Sequence, residues 1–196
     1  MKKIMFNDKY GLTEAVLKGR KTQTRRLLPY HAVFKLKEGN DYQEVIRLYS
    51  KYKVGEVVAV AQRYKDIALD VAVSLAVELI KQPGWTNKMF TKANVLTHHI
   101  RITKIRIERL QDINPMDCLA EGICPSDQRE SLWCVAPIND DKSIGTEYDH
   151  SVFGDGPWHL HPNPKAAYAD LIDHITGKGT WYSNPFVFVY NFELIR

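Results

Sequence analysis

Between His99 and Arg109 the isoleucines fall at positions 100, 102, 105 and 107, separated by polar or charged residues, with a one-residue slip at Thr103 and Lys104. A period of two predicts a strand with one buried face. The slip predicts a β-bulge that keeps both isoleucine pairs on that face. Near the C-terminal end Phe186, Phe188, Tyr190, Phe192 and Leu194 alternate in the same way, predicting a last strand with an aromatic face. Gly55 marks a turn, and the valines after it predict a buried strand within residues 56–64.

Helical spacing alternates with these strands. Leu12, Ala15 and Val16 share one helical face, and Gly19 stands where that helix would end in the left-handed conformation. In "NPMDCLAEG" Asn114 is placed to cap, Pro115 to open, Asp117 to complete a capping box and Gly122 to terminate. The same grammar recurs at Asn163 and Pro164, with Tyr168, Leu171, Ile172 and Ile175 directed at the core. "DIALDVAVSLAVELIKQPGW", residues 66–85, carries both periods, and its length and alanines favour a helix. Short strands interleaved with helices predict a mixed α+β domain with a curved or closed sheet.

Composition narrows the class. The 196 residues are 44% hydrophobic and 26% charged, as expected for one folded domain spanning residues 1–196. No internal repeat is visible. No apolar run approaches the roughly 20 residues of a membrane span, and "MKKIMFNDKYG" lacks a signal-length apolar stretch, so a cytoplasmic protein without a membrane partner is expected. Cys118, Cys124 and Cys134 are expected as free thiols. With His159 and His161 they match no standard zinc spacing, so neither metal nor cofactor is implied. Residues 125–163 are rich in Asp, Gly, Pro, Ser and Asn and read as a long loop insertion of the kind that carries function.

Net charge is +4, too small to imply a nucleic-acid partner unless the charge is clustered. "RKTQTRR", residues 20–26, supplies that cluster and interleaves it with two threonines. Arg20, Arg25 and Arg26 can hold a phosphate or an oxyanion. A threonine hydroxyl can attack an amide once a neighbouring base takes its proton, and a lysine serves if burial or nearby cations depress its pKa. On a regular strand Lys21 and Thr24 point to opposite faces, so their cooperation requires a turn or bulge after Gly19.

The order "AVLKGRKTQTRR", "VGEVVAVAQ", "NKMFTKA", "RITKIRIERLQDINPMDCLAEGI" and "DLIDHITGKGTWYSNPFVFVYNFEL" resembles the ASCH family over nearly the whole chain except the loop after Cys124. The resemblance implies a PUA-like mixed β-barrel with peripheral helices and a cleft facing nucleobases or RNA. One bacterial branch of this family removes the acetyl group from 4-acetylcytidine, using a lysine and threonine of a G-x-K-x-x-T element with a downstream glutamate. By that resemblance "GRKTQT" supplies Thr24 as nucleophile and Lys21 as the acceptor of its proton, and "CLAEGI" supplies Glu121 as the acid protonating the leaving amine. Arg20, Arg25 and Arg26 would then bind ligand, a nucleoside or single-stranded RNA, and no metal takes part. The rival reading is a non-catalytic RNA-binding module whose cations contact phosphate while aromatic residues stack bases. An adaptor acting through the long loop is a third.

Overall fold

The computed structural model describes residues 1–68, 71–125, 131–135 and 160–195. A five-stranded mixed sheet has the order β1-β3-β4-β7-β2. Its strands are β1 (Lys3–Ile4), β2 (Gln23–Leu27), β3 (Val57–Val60), β4 (His99–Arg109) and β7 (Phe186–Ile195). Cys124–Pro125 (β5) and Trp133–Cys134 (β6) form a separate short ribbon. The helices are α1 (Leu12–Leu17), α2 (Tyr30–Lys37), α3 (Tyr42–Tyr49), α4 (Tyr64–Ile67), α5 (Val73–Ile80), α6 (Pro115–Ala120), α7 (Pro164–Thr176) and α8 (Thr180–Ser183). The α+β expectation holds.

The long antiparallel pair β4 and β7 forms the spine. Its register shifts between Ile102 and Lys104, so that Thr103 is the extra residue and Ile100, Ile102, Ile105 and Ile107 all stay buried, as their spacing predicts. Phe188, Tyr190 and Phe192 supply the aromatic face, but Val187 and Val189 on the opposite face are buried as well. A central strand covered on both sides buries both phases.

β3 is shorter than the valine run suggests. Its partners reach only from Val57 to Val60, and Arg63 already stands at the start of α4, where its N–H donates to Asp66 Oδ2 at 3.1 Å. Residues 66–85 contain the expected helix as α5, followed by a 3-10 turn at Pro83–Trp85.

The barrel implied by the resemblance is not closed among the described residues, because β1 and β2 are free edges of the sheet. Curvature nevertheless brings them near each other. Arg26 on β2 donates to the carbonyl of Met5, just past β1, at 2.7 Å, and Phe6 packs on Phe192 with ring centroids 5.7 Å apart. The seam between the two edges is bridged by side chains instead of a backbone ladder, and the cavities described below flank it.

Candidate functional site

Local chain geometry resolves the conflict between positions 21 and 24. After α1 the chain turns at Gly19, φ +72°, and the carbonyl of Ala15 accepts from both Arg20 N–H (2.8 Å) and Lys21 N–H (2.9 Å). Thr22 then donates to the carbonyl of Ala120 at the end of α6 (2.9 Å) and accepts from Phe192 N–H (2.9 Å). β2 begins only at Gln23. Lys21 therefore lies in the turn, not in the strand, and the Thr22–Ala120 bond sets it beside Glu121, the residue that caps the C-terminal end of α6.

Lys21 is 2% exposed, and its Nζ donates to Glu121 Oε2 at 2.6 Å and to the Glu121 carbonyl at 2.7 Å. Burial lowers the pKa of this amine, with Arg26 and Arg25 adding to the effect and Glu121 opposing it. Thr24 is buried as well. Its side chain lines the same cavity as Lys21 and Glu121. The three residues named from the sequence thus meet at one hollow of about 90 Å³, walled further by Phe6, Leu171, Ile172 and Tyr168.

Of the arginines, each has a different surrounding. Arg25 is buried and ties three carboxylates together. Its Nε donates to Glu108 (3.1 Å), its Nη1 to Glu121 (3.2 Å), and its Nη2 to Asp117 (2.9 Å) and again to Glu108. Burial works against its charge, but Glu121, Tyr168 and Glu108 outweigh that and hold its pKa above the ordinary value. Arg106 completes the cluster, donating to Glu108 (2.8 Å), Asp117 (2.6 Å) and Asn191 (2.7 Å). Lys21, Arg25 and Arg106 thus balance Glu108, Asp117 and Glu121 charge for charge.

Asp117 gives its N–H to the Asn114 cap at 2.8 Å, as expected, but its carboxylate serves the two arginines instead of closing a capping box. Four of the five Arg25 N–H groups thus go to protein carboxylates, while its side chain also lines the cavity beside Lys21 and Glu121. Arg20 is half-buried and does not line the cavity, with its Nη2 enclosed and unpartnered among the described residues. Arg26 is exposed at the rim, 5.9 Å over the Phe6 ring, and is the arginine a ligand can reach.

Arg26 and Leu27 also border a second cavity of about 340 Å³, lined by Tyr49, Lys51, Tyr52, Phe188 and Tyr190. The inner and outer cavities share the Arg26 seam. Burial pushes the Tyr52 phenol up to about 12, so it remains protonated at neutral pH.

Sequence reading missed Arg106, Glu108 and Tyr168 as members of this site. Among the described tryptophans none lines either cavity: Trp133 and Trp181 pack on the main core and Trp85 on a smaller cluster, while Trp158 and His159 lie outside the described residues. Cys124 and Cys134 face each other across the β5–β6 ribbon with sulfurs 4.0 Å apart. Cys118 is buried, and the lost solvation raises its pKa to about 11, leaving an unreactive thiol. No described helix is long and apolar enough to cross a membrane.

No family model matches the sequence, and no curated protein does. A crystal structure of a DUF984 protein from Enterococcus faecalis aligns over 94% of this chain and 66% of its own length, at 12% identity and a TM-score of 0.36. The chain thus spans just under two thirds of that protein, and a likeness this slight carries no functional inference.

Proposed function

We propose that this chain is an ASCH domain of PUA-like architecture that binds a nucleobase-containing ligand and hydrolyses an amide on its exocyclic nitrogen, as in an acylated cytidine. The observation that carries the reading is the convergence of a buried lysine, a buried threonine and a buried glutamate on one cavity.

The Lys21–Glu121 contact supplies both halves of the proton chemistry. At rest it is an ammonium and a carboxylate sharing a 2.6 Å hydrogen bond. Moving that one proton from Nζ to Oε2 yields an amine base and a carboxylic acid at once, and burial of Lys21 lowers the cost of the shift. Thr24 Oγ1 then bonds to the amide carbon while its proton passes to Lys21. The carbon–nitrogen bond breaks, and the departing amine takes the proton from Glu121. A water molecule cleaves the resulting threonyl ester by the same proton path, releasing the carboxylic acid and restoring Thr24. Arg25 holds Glu121 without protonating anything.

Size favours a divided ligand. A hollow of about 90 Å³ suits an acylamino group, well below the roughly 300 Å³ at which whole-ligand pockets begin. The base and sugar would extend past Arg26 into the outer cavity, where Tyr52, Phe188 and Tyr190 offer aromatic surface.

The test is turnover of 4-acetylcytidine to cytidine and acetate. The unmutated chain is expected to release cytidine, and Thr24→Ala is expected to lower kcat at least 1,000-fold, on the order of the loss of a nucleophile, with an unchanged melting temperature. Absence of turnover, with RNA affinity that falls steeply with salt and depends on Arg26, would replace this reading by the binding module.

A further inference from the structure

We propose that the Tyr168 hydroxyl is the donor that receives the carbonyl oxygen of the ligand in the inner cavity. The inference rests on the amide-hydrolase reading above and adds to it a residue absent from the lysine, threonine and glutamate set.

Tyr168 sits on α7, whose start is fixed by Asn163 accepting from Ala166 N–H at 2.8 Å. Its periodicity with Leu171 and Ile172 marks it as a core residue, and it is 1% exposed. A phenylalanine would satisfy that packing. The hydroxyl instead is buried with no hydrogen-bond partner among the described residues, while the side chain lines the cavity beside Lys21, Thr24 and Glu121. Burying an unpaired phenol forfeits its hydration for nothing, so a partner from outside the chain is the economical explanation.

The neighbouring carboxylates accept from cations and not from this hydroxyl. Glu121 accepts from Lys21 and Arg25, Glu108 from Arg25 and Arg106, and Asp117 from the same two arginines. The Tyr168 ring is flanked by two neighbours. The Arg25 guanidinium lies 5.8 Å from its centroid, and Trp181 meets it edge-on at 6.3 Å.

A neutral donor carried by a residue that lines a reaction cavity suits an oxygen that gains negative charge as its carbon is attacked. Burial, reinforced by Glu121, raises the phenol pKa well above the ordinary value, so the donor keeps its proton at any working pH. The ligand class this selects is an acyl compound presenting a carbonyl oxygen, in contrast to the deacylated product, which lacks that oxygen.

Tyr168→Phe removes the hydroxyl and keeps the ring. With 4-acetylcytidine as substrate the variant is expected to lose on the order of 100-fold in kcat with KM changed less than about threefold, at a melting temperature equal to or above that of the unmutated protein. Turnover within about threefold of the unmutated protein overturns the proposal. So does a clear fall in melting temperature, which would show that the hydroxyl serves the fold.

If the unmutated chain does not hydrolyse 4-acetylcytidine, the hydrolase reading fails first, and calorimetric binding decides this one separately. Carbonyl recognition then requires Tyr168→Phe to weaken 4-acetylcytidine roughly tenfold while leaving cytidine affinity unchanged. Equal effects on both, no effect, or no binding of either ligand refutes it.

Discussion

Two buried regions of this protein are built by opposite means. Around Arg25 the interior holds Lys21, Glu121, Glu108, Asp117 and Arg106, a balanced set of charges under β2 and α6. On the far side of β3 the smaller cluster of Ala59, Tyr64, Ile67, Leu79 and Leu96 contains no charge. Its one buried polar group of note, the Tyr64 hydroxyl, accepts from Lys92 N–H at 2.7 Å. The apolar cluster shows that this chain can close a core with oil and one satisfied hydroxyl. Taking six charged side chains wholly or partly out of water is a costly alternative, one that apolar residues of similar volume commonly match or better in stability. Under the proposed function the charged region is kept for its chemistry, with the balance of charge offsetting part of its cost.

The contrast is sharpest at Glu121. Glu121→Ala leaves the Lys21 ammonium 2% exposed with a backbone carbonyl as its remaining acceptor among the described residues, and deprives Arg25 of one of three carboxylates. The expected destabilisation is about 3–5 kcal/mol, the range for stripping one partner from a buried pair, read by urea denaturation. The double variant Lys21→Met/Glu121→Leu is expected to regain most of that stability while remaining inactive. A double variant as unstable as Glu121→Ala would mean that the ion pair is itself a structural support, and the comparison would break.

The apolar cluster is tested by crowding, not by charge. A Cβ on Gly84 would clash with the Tyr64 ring, which is 1% exposed and tied by its hydroxyl to Lys92. Gly84→Ala is expected to cost about 1–3 kcal/mol through overpacking and to leave turnover of 4-acetylcytidine unchanged. Loss of activity with stability intact would show that the two regions are coupled.

How far the sequence foretold these regions depended on how local each signal was. The bulge at Thr103 and the two Asn-Pro helix starts were legible because spacing and capping are short-range properties. Lys21, Thr24 and Glu121 were grouped only through the family resemblance; they line one cavity because a turn at Gly19 removes the obstacle that a regular strand would have raised. The fate of Arg25 was not legible, since its partners Glu108 and Asp117 are 83 and 92 positions away. Tyr168 was hidden differently. Its helical spacing announced a core residue, which it is, and periodicity carries no information about whether a hydroxyl finds a partner. Helices α2 and α3 drew no expectation at all, and the unclosed edges of the sheet are a matter of long-range curvature that strand patterns do not encode.

The smallest effect belongs to an ion pair outside both regions. Arg101 and Glu193 are direct cross-strand partners on β4 and β7, with Nη1 and Oε1 2.9 Å apart, but their side chains are 49% and 54% exposed. Water already solvates both groups, so pairing recovers little, and the cost of ordering two long side chains offsets part of that. Arg101→Ala is therefore expected to change stability by about 0.2–1 kcal/mol, with the difference shrinking further in 0.5 M salt as screening grows. The distance matches those in the Arg25 cluster; what differs is the solvent. A loss above about 2 kcal/mol at Arg101 would mean that contact geometry outweighs burial in setting the value of a charge pair here, and the functional reading of the buried charges would lose its energetic basis.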